Sequence, residues 1–296
     1  MRLKHFAAAL PVAALLGCAA PVSTPTADAT PPVVATTASR VVTRDQLAAI
    51  VDSPDRSAAD RGNDARRHPV DLLAFIGVRT ASTALDVSTG GGYTTELLAR
   101  AIGPAGLVYA QAPVRDPNKA MPRPAAPEGG AAPPAPAASA PVRRSTDQVL
   151  AERSARLAAA GVAAAPIVYV GQPFDNPVPP AAADGKLDLV TLMFNYHDFG
   201  FLGVDRARTN RAIFQALKPG GVYVIADHAG RPGTGISESG TLHRIEESFL
   251  RAEVEAAGFR LADEGQFLRN PNDPRDRNTP EPAQPKDEFV LKFVKP

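Results

Sequence analysis

The sequence predicts an α/β fold, a mainly parallel seven-stranded sheet with helices on both faces. Three observations predict it. Short apolar runs alternate with amphipathic stretches from Thr83 onward. The run Ala84-Leu85-Asp86-Val87 passes through Ser88-Thr89-Gly90-Gly91-Gly92 directly into the amphipathic stretch that starts at Tyr93. Leu217-Lys218-Pro219-Gly220-Gly221 stops a helix just before the apolar run Val222-Tyr223-Val224-Ile225-Ala226.

The N-terminus reads as an export signal. Arg2 and Lys4 form a basic start, and 6–16 is apolar but too short to span a membrane. Leu15-Leu16-Gly17-Cys18 resembles the bacterial lipoprotein box, in which the Cys becomes the lipidated first residue. An ordinary cleaved signal with an incidental Cys is the other reading. Cys18 is the only cysteine, so no disulfide framework exists. The expectation is a signal peptide at 1–18, a Pro/Thr/Ala-rich tether at 19–40, and a periplasmic domain at 41–296 held to the membrane only through Cys18.

Within that domain the elements follow in order. Residues 44–51 are expected to be helical. Residues 56–69 are polar and charged, and read as a solvated helix or linker. Residues 70–76 form a helix that ends near Gly77. A strand at 83–87, a helix at 94–102 and a strand at 107–110 come next. Nine of the 32 residues in 112–143 are Pro and ten are Ala, which describes a disordered surface insertion. A helix is expected at 147–160, and strands at 167–170 and 187–194. Residues 206–217 are a helix and 222–226 a buried strand. Residues 241–257 read as one long amphipathic helix closed by Gly258. Two last strands, 259–264 and 288–294, complete the sheet, and their pairing stays open.

Composition excludes some classes. The chain has 32 basic and 31 acidic residues among 296, a net charge of +1, and no Trp. Nothing here steers nucleic acid, and a small molecule is the expected partner.

The glycine turn carries the functional signal. The acid precedes the glycines, as Asp86-x-Ser88-x-Gly90-x-Gly92. A dinucleotide-binding turn would place Gly-x-Gly-x-x-Gly there, with its acid well downstream. Taken alone, the motif also fits an ordinary tight strand-to-helix turn. It resembles the first motif of class I S-adenosylmethionine (SAM) methyltransferases, with Ser88 in place of the first glycine. The Lys218-Pro219-Gly220-Gly221 helix stop is a recurrent feature of the same superfamily. The chain further resembles a group of predicted SAM-dependent methyltransferases found among exported bacterial proteins. The resembling pieces include Arg67-His68-Pro69, Asn195-Tyr196-His197-Asp198, Asp227-His228-Ala229-Gly230, Thr241-Leu242-His243-Arg244 and Phe289-Val290-Leu291-Lys292-Phe293. The likeness spans nearly all of 56–296 outside the insertion.

The resemblance implies a Rossmann-like class I methyltransferase fold with SAM as cofactor. By it, Asp86, Ser88, Gly90 and Gly92 line the methionine and ribose end of SAM, with Gly91 and Tyr93 in the same cradle. Gln111 stands where an acid usually holds the ribose hydroxyls, and Gln172 where an acid usually follows the third strand.

In open α/β sheets the ligand lies beyond the carboxyl ends of the strands. His197 and His228 follow two such strands, and His243 comes after a glycine-rich loop. A neutral imidazole takes a proton near working pH. His197 is the expected base, Asp198 either orients it or accepts a hydrogen bond from the substrate, and His228 and His243 are the other candidates. Asn195 is not followed by Pro-Pro-aromatic, the adenine-methylating signature, so DNA methylation is not expected. His197, Asp198, Asp227, His228 and His243 also offer metal-binding donors, but their spacing matches no local motif, and no metal is assigned. Arg231, Arg244 and Arg269 are candidates either for an anionic ligand or for surface ion pairs with Glu246 and Glu247, and the ion pairs are the expected reading.

Two functions therefore stay open. One is a SAM-dependent methyltransferase acting on a small molecule. The other is an exported, non-methylating ligand- or metal-binding protein built on the same fold. SAM is made in the cytosol, so the export signal and the cofactor point to different compartments.

Overall fold

Alternate residues of the central strands serve two different cores, which is why the sheet is covered on both faces. Leu85, Val87, Tyr223 and Ile225 pack into one cluster, while Ala84, Val224 and Ala226 pack into the other. This is the period-two consequence of strand geometry applied to runs that are apolar throughout. The computed structural model describes residues 39–114, 144–278, 280 and 284–296. The expected signal peptide, the expected tether before Ser39 and the expected Pro/Ala insertion beyond Val114 lie outside the described residues.

The chain runs α1 (Arg44–Val51), α2 (Ala58–Arg67), α3 (Pro69–Ile76), β1 (Thr83–Val87), α4 (Tyr93–Ile102), β2 (Leu107–Gln111), α5 (Thr146–Ala159) and β3 (Ile167–Val170). It continues with β4 (Leu187–Met193), α6 (Asp198–Phe201), α7 (Arg206–Ala216), β5 (Leu217–His228), α8 (Glu247–Glu255), β6 (Arg260–Gly265) and β7 (Glu288–Val294). The sheet order is β3-β2-β1-β4-β5-β7-β6. Strands β3 to β5 pair in parallel. β7 runs antiparallel between β5 and β6, which answers the pairing that the sequence left open. Among the described residues no helix is long and apolar enough to cross a membrane.

Three expectations change. The long helix at 241–257 is only α8, Glu247–Glu255. Ile245 instead joins the backbone of β5, accepting from Gly230 N–H at 2.8 Å and donating to His228 at 3.0 Å. Helical spacing of apolar residues loses here to strand pairing. The segment 56–69 is not merely solvated, because Arg56 is 2 % exposed and donates to Asp64 at 2.7 Å and 2.9 Å. Arg244 is fully buried and pairs with Asp273 at 2.8 Å, not with a surface glutamate.

Candidate functional site

The strand order reverses between β1 and β4, and a crevice opens there beyond their carboxyl ends. The glycine turn leaves β1 at this point. Ser88, Gly90 and Gly92 have φ of 57°, 54° and 77°, so the chain folds back tightly before α4. Left-handed backbone is native to glycine and costly for Ser88.

The turn is held from within and from outside. Asp86 is buried and accepts from Thr191 at 2.7 Å and Thr95 at 2.6 Å, so it ties β1 to β4 and α4. Burial raises its pKa, against those hydroxyl bonds. From outside, Arg153 of α5 donates to the Gly91 carbonyl at 2.6 Å, to Asp60 at 2.7 Å and to Glu96 at 2.6 Å.

A cavity of about 100 Å³ lies against the turn, lined by Arg67, Ser88, Gly90, Tyr93, Met193 and Asn195 among others. That is below the ~300 Å³ at which ligand pockets usually begin. Arg67 is the residue that sequence reasoning missed. Its guanidinium lies 5.1 Å from the Tyr93 ring and 4.8 Å from the Phe194 ring. Its Nε is buried without a partner, and burial lowers its pKa. Arg67-His68-Pro69 was visible only as a resembling tripeptide, because nothing local marks an arginine as turned inward.

Of the cofactor positions expected from sequence, Asp86, Ser88, Gly90, Gly91 and Tyr93 line this cavity. Gly92 caps α4 behind it, close against Leu150 and Arg153. Gln111 does not face it. Its side chain accepts from Ser88 N–H at 3.0 Å and donates to the Gln172 carbonyl at 2.6 Å, so it bridges two loops. It is fully buried, and the ribose role expected of it is not the arrangement observed.

The histidines converge. His197 and His228 have ring centroids 5.4 Å apart, and His197 and His243 5.5 Å. His197 Nδ1 lies 2.6 Å from Asp227 Oδ1, and its Nε2 lies 3.0 Å from Asp198 Oδ1. Burial pulls the His197 pKa down, but Asp227 and Asp198 outweigh it and push it up to about 9. The free neutral base expected at His197 is therefore absent, because both ring nitrogens are engaged by carboxylates.

His228 is the opposite case. Burial holds its pKa well below the ordinary histidine value, and the Lys286 charge adds to this. Its Nδ1 lies 2.9 Å from Glu288 Oε1 without forming a hydrogen bond. Phe194 joins this group to the cavity, since its ring stacks on His228 at 5.6 Å and also lies under Arg67.

No protein-family model and no curated protein matches the chain. Several solved structures are similar to the chain, with TM-scores below 0.5. A SAM-dependent methyltransferase from Aquifex aeolicus is 15 % identical, with 86 % of this chain and 100 % of that one covered and a TM-score of 0.49. The [4+2]-cyclase SpnF is 15 % identical over 86 % of this chain and 97 % of its own, with a TM-score of 0.48. An arsenic(III) SAM methyltransferase from Chlamydomonas reinhardtii is 14 % identical over 74 % and 64 %, with a TM-score of 0.45.

Proposed function

We propose that this chain is a SAM-dependent methyltransferase acting on a small-molecule acceptor. One observation carries the reading. A glycine turn at the point where strand order reverses faces the half-buried Arg67, whose Nε is buried with no hydrogen-bond partner. A turn of this kind admits close backbone approach, and a guanidinium whose Nε lacks an acceptor suits a carboxylate. The amino-acid end of SAM has that chemistry. We assign it to Arg67, Ser88, Gly90 and Gly91, with Asn195 on the facing wall.

SAM supplies a methyl group on a sulfonium, which needs little activation beyond alignment. His228, kept neutral by burial, is the group we assign to receive a proton from the acceptor. His197 positions Asp198 and Asp227 from between them.

The test is release of S-adenosylhomocysteine (SAH) from SAM across a panel of small hydroxyl and amine acceptors. The reading expects turnover that drops in His228→Gln while SAM affinity holds. SAM binding with no turnover on any acceptor would favour the non-methylating reading.

We also propose export and lipidation at Cys18, supported by the basic start, the short apolar run and Leu15-Leu16-Gly17-Cys18. Expression in a bacterium should place the chain in the membrane fraction, and Cys18→Ser should release it. Wild type in the soluble cytosolic fraction would overturn this.

A further inference from the structure

We propose that His197, Asp198 and His243 bind a divalent transition-metal cation. The inference does not depend on whether the cradle takes SAM. It rests on three donor atoms and on what stands behind each.

One ligand atom from each of the three residues lies within 4.8 Å of the others. Asp198 Oδ1 is the centre of the group, 3.0 Å from His197 Nε2 and 3.3 Å from His243 Nδ1. Bonds of roughly 2.0–2.2 Å at tetrahedral angles set ligand atoms about 3.3–3.6 Å apart. The cluster is thus near the spacing a small cation imposes.

Each donor is held in its orientation. Asp227 is fully buried and takes the far nitrogen of His197 at 2.6 Å, and it also accepts the His197 backbone N–H at 2.7 Å. A carboxylate on the far ring nitrogen is the usual device that aims a metal-ligating histidine and raises its basicity. Asn195 donates to Asp198 Oδ2 at 2.9 Å, which leaves Oδ1 toward the imidazoles. His243 adopts φ of 52°, a left-handed conformation that strains a non-glycine residue. The neighbouring Ile245 is tied to β5 on both sides, so the loop that presents His243 is anchored.

Donor chemistry narrows the ion. Two imidazoles and one carboxylate suit zinc, iron and related first-row ions, whereas calcium and magnesium prefer all-oxygen sites. Asp198 and Asp227 together balance a dication. Three protein donors leave a further position for water or an oxygen ligand. Asn195 also lines the cradle cavity, so the centre and the cradle share a wall.

The experiment uses the full chain, stripped with a chelator and free of SAM. Zinc is titrated by calorimetry, and cobalt(II) by visible absorption. The expected result is one ion per chain, with cobalt bands of nitrogen and oxygen coordination. His243 is partly exposed, so His243→Ala should fold and should weaken binding by roughly tenfold or more. Asp227→Asn should weaken it by about 10- to 100-fold. His68→Ala, at an exposed histidine, should leave it unchanged. No binding by the folded chain overturns the proposal, as does equal affinity in His243→Ala.

Discussion

Replacing Arg153 by Met should destabilise the protein by about 3 kcal/mol, near the lower end of the range for breaking a buried ion pair. Arg153 bridges three helices. It binds Asp60 of α2 through two nitrogens at 2.7 and 2.9 Å, and Glu96 of α4 at 2.6 Å. The Asp60 and Glu96 side chains are 8 % and 2 % exposed, so neither carboxylate reaches water freely. Glu96 keeps Arg100 at 2.8 Å and Arg156 at 2.6 Å after the substitution. Asp60 keeps no ion-pair partner among the described residues, which places most of the loss on that one carboxylate. At 2–4 °C per kcal/mol, the unfolding midpoint should fall by roughly 6–12 °C. Circular dichroism on heating and in urea reads both quantities. Arg144→Ala is the control, since that arginine pairs with Glu152 at the surface and should cost less than about 1 kcal/mol. Adding Asp60→Asn to Arg153→Met should restore much of the loss, because it removes the stranded charge. A loss under about 1 kcal/mol, or no restoration, refutes the reasoning.

Three further outcomes follow from the same structure. Gly92→Ala should cost about 2–4 kcal/mol, because its φ is 77° and a Cβ would meet Leu150 and Arg153 side chains at 2.9 Å; a neutral effect in thermal unfolding would show that α5 does not press on this turn. Arg67→Met should change stability by less than about 1 kcal/mol, since the lost contacts with the Tyr93 and Phe194 rings are offset by removal of a buried Nε without a hydrogen-bond partner, while SAM affinity drops by roughly tenfold or more; equal affinity in calorimetry would remove Arg67 from the cradle. Glu288 gives a pH signature. Burial raises its pKa from 4.5 to about 7, so its stabilising contribution is complete below pH 4.5 and fades as pH climbs through 7. Relative to Glu288→Gln, the protein should lose up to about 3 kcal/mol between pH 5 and pH 8; parallel stability curves would contradict the shift.

The elements legible in the sequence are those whose signals are local. β1, β3 and β4 are apolar runs bounded by glycine, proline or charge, and α4 follows from the glycine turn before it. The glycine turn was legible for the same reason, since an acid and spaced glycines sit within one short segment. The failures are non-local. Leu242, Ile245 and Phe249 have helical spacing, yet Ile245 is claimed by β5, and no local rule reports that pairing. The Asp227 grip on His197 exists because β5 lies beside β4 in the sheet. Arg67, Asp60 and Arg153 look in sequence like residues of solvated helices. Only the packing of α2 and α5 around the turn gives Asp60 and Arg153 each other, and leaves Arg67 over two rings with its Nε unbonded.

The most direct test of the central reading is calorimetric titration of the folded chain with SAM and with SAH, beside Gly90→Arg. A Cβ at Gly90 meets nothing closer than the Ser88 carbonyl at 3.9 Å, so the variant should fold, with a penalty of about 1–2 kcal/mol from its backbone conformation. The account predicts micromolar binding of both ligands to the wild type and none to Gly90→Arg. Absence of binding to the folded wild type, or equal binding to the variant, would contradict it.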